Sequence, residues 1–431
     1  MSSIQVNFSQ TKGKIKPMHG VGQPPFVGVD FEKFHFLQDA GIPFSRLHDV
    51  GGGYGGFRFV DIPNLFRDFD ADPTDPDAYD FTFTDLLVTA LVEQNIEPFF
   101  RLGVTIENQA EIKAYRIFPP KDYMKWAKIC EGVIRHYTEG WANGFHYNIR
   151  YWEIWNEPDF NYILVKNQMW RGSREDFYEF YGVASKYLKN CFPHLKIGGY
   201  ASCGFSGAVA LANGKTPSER AQYWLDFFHG FLKYAKENAC PLDYFSWHSY
   251  GSIESTANIQ ANYVRNKLDA YGFVNTETIC NEWNVDFNLR GTLQHAAEVT
   301  GMMLAFQDSP LDSAMFYDAR FGTSIYGGMF NPLTGEPFPA YYGFKAFNEL
   351  YKRGNQIALE CDTEGLYAVA AVGETDKCIV IANTTEQDLP LNLSMDGQIK
   401  ECLLLDESHM YIPAEFNGTI GAASVLCLMV S

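Results

Sequence analysis

From about residue 17 to about residue 350, short apolar segments that end in polar residues alternate with longer segments whose apolar positions recur every three to four residues. The short segments read as strands and the long ones as amphipathic helices. Strands are expected near Met18–Val21, Phe44–His48, Glu97–Leu102, Ile149–Asn156, Lys196–Ala201, Tyr244–His248, Thr278–Trp283 and Ser313–Tyr317. Helices are expected over roughly 30–40, 84–95, 121–139, 174–191, 218–238, 256–271, 292–308 and 340–353. Eight strand-then-helix units predict an α/β fold closed into a (β/α)8 TIM barrel, since eight strands enclose an interior that side chains can just fill. Chemistry in such a barrel belongs at the C-terminal ends of its strands.

After Gly354 the pattern changes to short alternating segments split by turn formers, such as Leu366–Val372, Cys378–Ala382 and Ser424–Val430, which is an all-β texture. The opening stretch Ile4–Phe8 alternates in the same way. The expected organisation is therefore a catalytic barrel over 14–352 and a small accessory β-sandwich built from both ends, 1–13 plus 353–431. A length of 431 residues suits a barrel of roughly 250 to 350 residues with one added unit.

Composition removes several function classes. A net charge of -18 repels phosphate backbones and anionic lipid, so neither nucleic acid nor membrane is expected as a partner. Nine cysteines are scattered without a CxxC pair, which predicts free buried thiols and neither a zinc nor a redox site. No metal and no cofactor is expected. The N-terminus lacks the apolar run of a signal peptide and no stretch approaches the roughly 20 apolar residues of a membrane span, so a cytoplasmic location is expected. Homo-oligomer formation stays open. Aromatic residues reach 16%, enough either for a large core or for the flat faces on which sugar rings stack.

The strongest local signal is Arg150-Tyr-Trp-Glu-Ile-Trp-Asn-Glu-Pro-Asp159, an aromatic strand that proline ends abruptly. Glu157 is thereby expected at the barrel mouth, beside Asn156 and among aromatic bulk that disfavours its charged form. Such surroundings raise a carboxyl pKa toward the range of a general acid. The second signal is Thr278-Ile-Cys-Asn-Glu-Trp-Asn284, which ends the seventh strand with Glu282 next to Trp283. Strands four and seven face each other across a barrel, and two carboxyl groups about 5 to 5.5 Å apart are what a retaining glycosidase needs. Glu153 and Glu277 lie several residues before their strand ends, and Glu153 reads as a buried, paired structural carboxylate.

The W-x-x-W-N-E-P and N-E-W-N segments resemble the signatures of the large clan of retaining glycoside hydrolases with a (β/α)8 barrel, and within it family 39. Arg46-Leu-His48, Asp243-Tyr-Phe-Ser-Trp-His248-Ser-Tyr250, Pro339-Ala-Tyr-Tyr-Gly-Phe344 and the sandwich made from both ends support that placement. The resemblance implies a β-xylosidase-like enzyme on oligosaccharide or glycoside substrates, most simply exo-acting on plant-derived oligosaccharides. Glu157 then matches the acid/base, Glu282 the nucleophile, Asn156 the partner of the sugar 2-hydroxyl, His48 and His248 ring-binding histidines, and Tyr250 a support of the nucleophile. Trp283 is counted with the sugar-binding residues. The pattern departs at strand eight, where a tryptophan and an acidic pair are expected and the chain has Ala314-Met-Phe-Tyr-Asp-Ala-Arg-Phe321. Tyr317 there replaces the tryptophan as a platform. Arg320 and Arg101 either favour a carboxylated sugar or pair with Asp49, Asp318 or Glu107, the pairing being preferred. Another sugar (arabinoside, galactoside, glucoside or uronide) and a non-catalytic carbohydrate-binding barrel are the alternatives. The run Gly51–Phe57 reads as an active-site loop, since it lacks the spacing of a phosphate loop.

Overall fold

The structure, a computed structural model, describes residues 2–25, 33–50, 58–105, 117–321 and 326–431. The chain opens with β1 (Ser2–Lys14) and then lays down eight parallel strands that close on themselves: β2 (Gly20–Gly22), β3 (Phe44–Leu47), β4 (Glu97–Leu102), β5 (Tyr151–Ile154), β6 (Lys196–Ser202), β7 (Tyr244–Tyr250), β8 (Glu277–Asn284) and β9 (Ser313–Phe316). β9 pairs back onto β2 through Met315 and Phe316. The TIM barrel expected from the alternation is the fold observed.

Side-chain alternation along each strand sorts residues between the barrel interior and the helix layer. Phe44, Phe99, Tyr244, Ile279 and Met315, with Tyr151 against them, point inward and form a separate apolar plug. The rings of Phe99, Tyr151 and Tyr244 lie 5.3 to 5.5 Å apart. This plug fills the barrel's lower layers, so polar chemistry is confined to the layer above it, at the C-terminal strand ends. The alternate residues Phe100, Trp152, Phe245 and Trp247 face outward into the main core beneath the helices.

The helices begin where polar side chains can take up the first free N–H groups. Asp122, Ser173, Ser218 and Thr292 each accept from a backbone N–H in the first turn of the helix they precede. Gly354 closes the last barrel helix, Pro339–Arg353, with φ 78°, a left-handed conformation that glycine adopts without a Cβ penalty. The helix expected over 256–271 divides into a wide π turn, Glu254–Gln260, and a regular stretch, Ala261–Ala270. Of the helix expected over 30–40, Phe34–Asp39 is helical, and residues 30–32 lie outside the described residues.

Beyond Gly354 follow β10 (Asn355–Cys361), β11 (Leu366–Val372), β12 (Lys377–Asn383), β13 (Leu389–Met395), β14 (Ile399–Leu405), β15 (Met410–Pro413), β16 (Thr419–Ile420) and β17 (Ser424–Val430). With β1 they form one nine-stranded sheet in the order β15-β14-β17-β12-β11-β10-β1-β13-β16. β1 extends well past the Ile4–Phe8 segment read from the sequence, because it pairs antiparallel with β10 over Ile4–Lys14 and parallel with β13 over Ser2–Val6. One face of the sheet gathers Ile4, Val6, Ile357, Ile379, Ile381, Leu426 and Leu428 into a core of its own. The other face, with Val380, Ala382, Val425 and Cys427, joins the barrel core through Phe306, Phe344 and Phe347. All nine cysteines are free, six buried and three half-buried. Among the described residues no helix is long and apolar enough to cross a membrane.

Candidate active site

The end of β5 builds the first half of the site. Glu153 and Ile154 keep the strand's alternation, but Trp155 and Glu157 take positive φ values of 72° and 45°, which is costly for residues with a Cβ and persists where the surroundings enforce it. The break turns Trp155 outward, where its ring meets Trp170 at 5.2 Å. Asn156 and Glu157 in succession are thereby left facing the mouth. A hydrogen bond of 2.9 Å from the Glu157 N–H to the Ala201 carbonyl pins the turn to β6.

A break in register builds the second half. The β7–β8 ladder runs regularly from Tyr244↔Glu277 to Trp247↔Cys280 and resumes at His248↔Glu282, so Asn281 is the extra residue of a bulge. Both Asn281 and Glu282 consequently point inward. The Asn281 amide donates to Glu153 Oε1 at 2.6 Å, and Glu282 reaches the mouth.

Arg46 on β3 joins the two halves from below. Its Nη1 donates to Glu282 Oε1 at 2.6 Å, its Nη2 to Asn156 Oδ1 at 2.7 Å and its Nε to Glu153 Oε2 at 2.7 Å. Glu153 also accepts from Ser246 Oγ at 2.6 Å, so it is the fully satisfied, buried structural carboxylate expected from the sequence. Because Arg46 occupies the Asn156 oxygen, the donor end of that amide is the end left for a ligand. On the other side, Tyr250 donates to Glu282 Oε2 at 2.8 Å. His248 Nδ1 lies 2.7 Å from Glu157 Oε1 and 3.4 Å from Glu282 Oε2. One carboxylate oxygen of Glu157 and one of Glu282 lie within 4.8 Å of each other.

The two carboxyl groups are chemically unlike. Burial pushes the Glu157 pKa up to about 7, against a hydrogen bond from Cys203 and the pull of Arg46. Glu282 is also raised by burial, but His248 and the guanidinium of Arg46 in direct contact oppose the rise. Burial lowers His248 to about 4, which leaves its imidazole neutral at pH 7. Glu157, His248 and Glu282 are close enough for a shared cation. The guanidinium 2.6 Å from Glu282 already supplies a positive charge there, and His248 Nδ1 is committed to Glu157.

The remaining residues singled out in the sequence fall into two sets. His48, Asn156, His248, Tyr250 and Tyr317 lie around the carboxylate pair. Trp283 does not, and its place among the sugar-binding residues is corrected: the bulge at Asn281 shifts the alternation, so its ring is fully buried against Phe306 and Phe316 at 5.3 Å. Arg101 is corrected too. It has no exposed surface, pairs with Asp61 at 2.7 Å and donates to His48 Nδ1 at 3.1 Å, so it holds a site residue rather than a ligand. Its partner is Asp61, a residue not anticipated. Arg320 lies 3.8 Å from Asp318, one of the pairings expected. Glu107 and the Gly51–Phe57 run lie outside the described residues. Sequence reasoning passed over the hub role of Arg46, although a lone arginine inside an apolar strand is a visible demand for buried anions. It also passed over Tyr326, whose ring packs 5.1 Å from Tyr250 and 5.3 Å from Tyr317.

A barrel with facing carboxylates on its fourth and seventh strands defines a class, the glycoside hydrolases. Glycosyl hydrolases family 39 matches residues 55–281, more than half of the chain, and the chain belongs to that family. A β-xylosidase of Geobacillus stearothermophilus is 28% identical over 213 residues, covering 46% of this chain and 37% of that protein. A β-xylosidase of Caldicellulosiruptor saccharolyticus is 23% identical over 381 residues, covering 80% of this chain and 70% of that protein. The chain thus spans little more than a third of the former relative. The crystal structure of a glucosidase from Croceicoccus marinus superposes with a TM-score of 0.79 at 20% identity, covering 100% of this chain and 99% of that one.

Proposed function

We propose that the chain is a retaining β-glycosidase, with Glu282 as nucleophile and Glu157 as general acid and base, acting as an exo-β-xylosidase on short plant-derived oligosaccharides. The observation that carries this reading is the unequal pair: an oxygen of each carboxyl group within 4.8 Å of the other, one group with its pKa raised to about 7 and the other bound to a guanidinium. Inverting enzymes need room for a water between the groups, about 6.5 to 9.5 Å. In the first step a Glu282 oxygen bonds to the anomeric carbon while the glycosidic bond breaks and Glu157 passes its proton to the departing oxygen. In the second, Glu157 takes a proton from water, the water oxygen bonds to the same carbon, and the Glu282 ester bond breaks. Asn156 offers its amide N–H to the 2-hydroxyl, and His248 orients Glu157. Xylose as the sugar is supported by the two β-xylosidases among the relatives.

The test is a panel of nitrophenyl xyloside, glucoside, galactoside, arabinoside and uronide with the native chain, Glu282→Ala and Glu157→Ala. Azide should rescue Glu282→Ala with release of the α-glycosyl azide. Full activity in either variant would sink the assignment of roles.

A further inference from the structure

The wall of the site opposite Glu157 is built by a hydrogen-bonded chain whose polarity is fixed. Arginine can only donate, so the 3.1 Å contact from Arg101 Nε makes His48 Nδ1 an acceptor. The ring proton is therefore on Nε2, which faces Asp49 Oδ1 at 3.2 Å. From the other direction the Gln23 amide donates to the Tyr317 hydroxyl, and that hydroxyl donates to Asp49 Oδ2 at 3.1 Å. Donors from β3 and β9 thus converge on one carboxylate. Burial and the charge of Arg101 hold His48 well below its ordinary pKa, so the imidazole brings no positive charge to Asp49.

Asp49 is placed at the mouth by its backbone. Its φ of 54° lies in the left-handed region, which Asp tolerates better than most residues, and the turn brings two successive side chains, His48 and Asp49, to the same end of the barrel. Tyr317, which holds Asp49, has its ring 6.5 Å from that of Tyr250, and Tyr250 holds Glu282. Asp49 and Glu282 are therefore two acids along one wall, and Asp49 adds a small upward push on Glu282, behind burial and Glu157 and against His248 and Arg46.

We propose that Asp49 sets the sugar specificity of this site: its carboxylate accepts hydrogen bonds from the hydroxyls on C3 and C4 of a neutral sugar bound over Glu282, and its charge excludes sugars that carry a carboxylate. The proposal rests on the glycosidase reading above. Of the cations that would otherwise favour a uronide, Arg101 pairs with Asp61 at 2.7 Å and Arg320 lies 3.8 Å from Asp318. The acid that grips the sugar thus comes from the end of β3, where the chain reads His48-Asp49, rather than from the segment after β9.

The experiment compares nitrophenyl β-xyloside with its 3-deoxy and 4-deoxy forms, and with nitrophenyl β-glucuronide, on the native chain and on Asp49→Asn. A hydrogen bond to a charged acceptor leads us to expect a loss of roughly 10- to 100-fold in kcat/KM on removal of the contacted hydroxyl. In Asp49→Asn that loss should shrink to within about 3-fold, and the ratio of glucuronide to xyloside turnover should rise at least about 10-fold, as coupling through a single removed charge requires. Tyr317→Phe keeps the charge and should keep the deoxy penalty. Asp49→Ser with thermal melts repeats the comparison if the amide displaces His48. Equal deoxy penalties in the native chain and both Asp49 variants would overturn the proposal while leaving the glycosidase reading intact. Native protein that cleaves no glycoside would overturn both.

Discussion

At Glu157 burial outweighs Arg46 and holds the carboxyl at about 7, whereas at Glu282 the same guanidinium is in contact and keeps an anion in a buried place. With Glu157 as the general acid proposed above, its proton is lost as pH rises through about 7, so kcat/KM should fall on the alkaline side with a midpoint near that value. As the proposed nucleophile Glu282 has to be ionised, and because burial raises its pKa the acid limb should be shifted upward. Glu157→Gln should abolish the alkaline limb and slow substrates with poor leaving groups by about 10²- to 10⁴-fold, as a pH–rate profile of both proteins will show. Asp159 adds a stability effect beside the site. Burial raises it to about 7, against hydrogen bonds from Ser202 and the Cys203 N–H. A carboxyl whose folded pKa exceeds its unfolded one binds more protons when folded, so its contribution is intact below about pH 4 and lost as pH climbs through 7. Asp159→Asn should therefore melt higher than the native chain at pH 8 and together with it at pH 4.

At the scale of elements, the barrel was legible because its signal is repeated eight times, and Glu157 and Glu282 because a strand must end where Asn156-Glu157-Pro158 stands and where an apolar run stops. What escaped were departures from period two. Strict alternation from Ile279 puts Asn281 and Trp283 inside and Glu282 outside; the bulge inverts the last two, and nothing local to Thr278–Asn284 announces it, because it is fixed by pairing with β7. Arg101 was misplaced for a different reason. Its inward parity is right, but its depth depends on Asp61, forty residues earlier in the chain. Trp283 supplies a test of the corrected geometry. Replacing it by Ala opens a cavity in the helix layer and should cost about 3 to 5 kcal/mol of stability, while Trp283→Phe should leave KM within about 2-fold. A large rise in KM with an unchanged melting temperature would return the ring to the sugar.

Over the whole molecule, the sheet and the barrel do not have separate interiors. Val380, Ala382, Val425 and Cys427 are buried in the same apolar cluster as Met303, Phe306, Phe344 and Phe347, on the helices Leu293–Asp308 and Pro339–Arg353 that follow β8 and β9. The helix Leu293–Asp308 also follows the strand that carries Glu282, after a connection that includes the turn Phe287–Leu289. Opening the interface would strip water-excluding contacts from the helix layer behind β8, where Trp283 packs, so the strand whose pairing with β7 aims Glu282 would lose support on its outer side. Each of these fully buried apolar side chains adds to the coupling between the two parts, since removing apolar surface from water is favourable. Calorimetry should accordingly show one cooperative unfolding transition with activity lost across it. Val380→Asp, which buries an unpaired charge at the centre of the contact, should lower the melting temperature of the entire protein and reduce kcat even at temperatures where the barrel strands remain folded. Two well-separated transitions, with activity following only the second, would show instead that the barrel holds its site without the sheet.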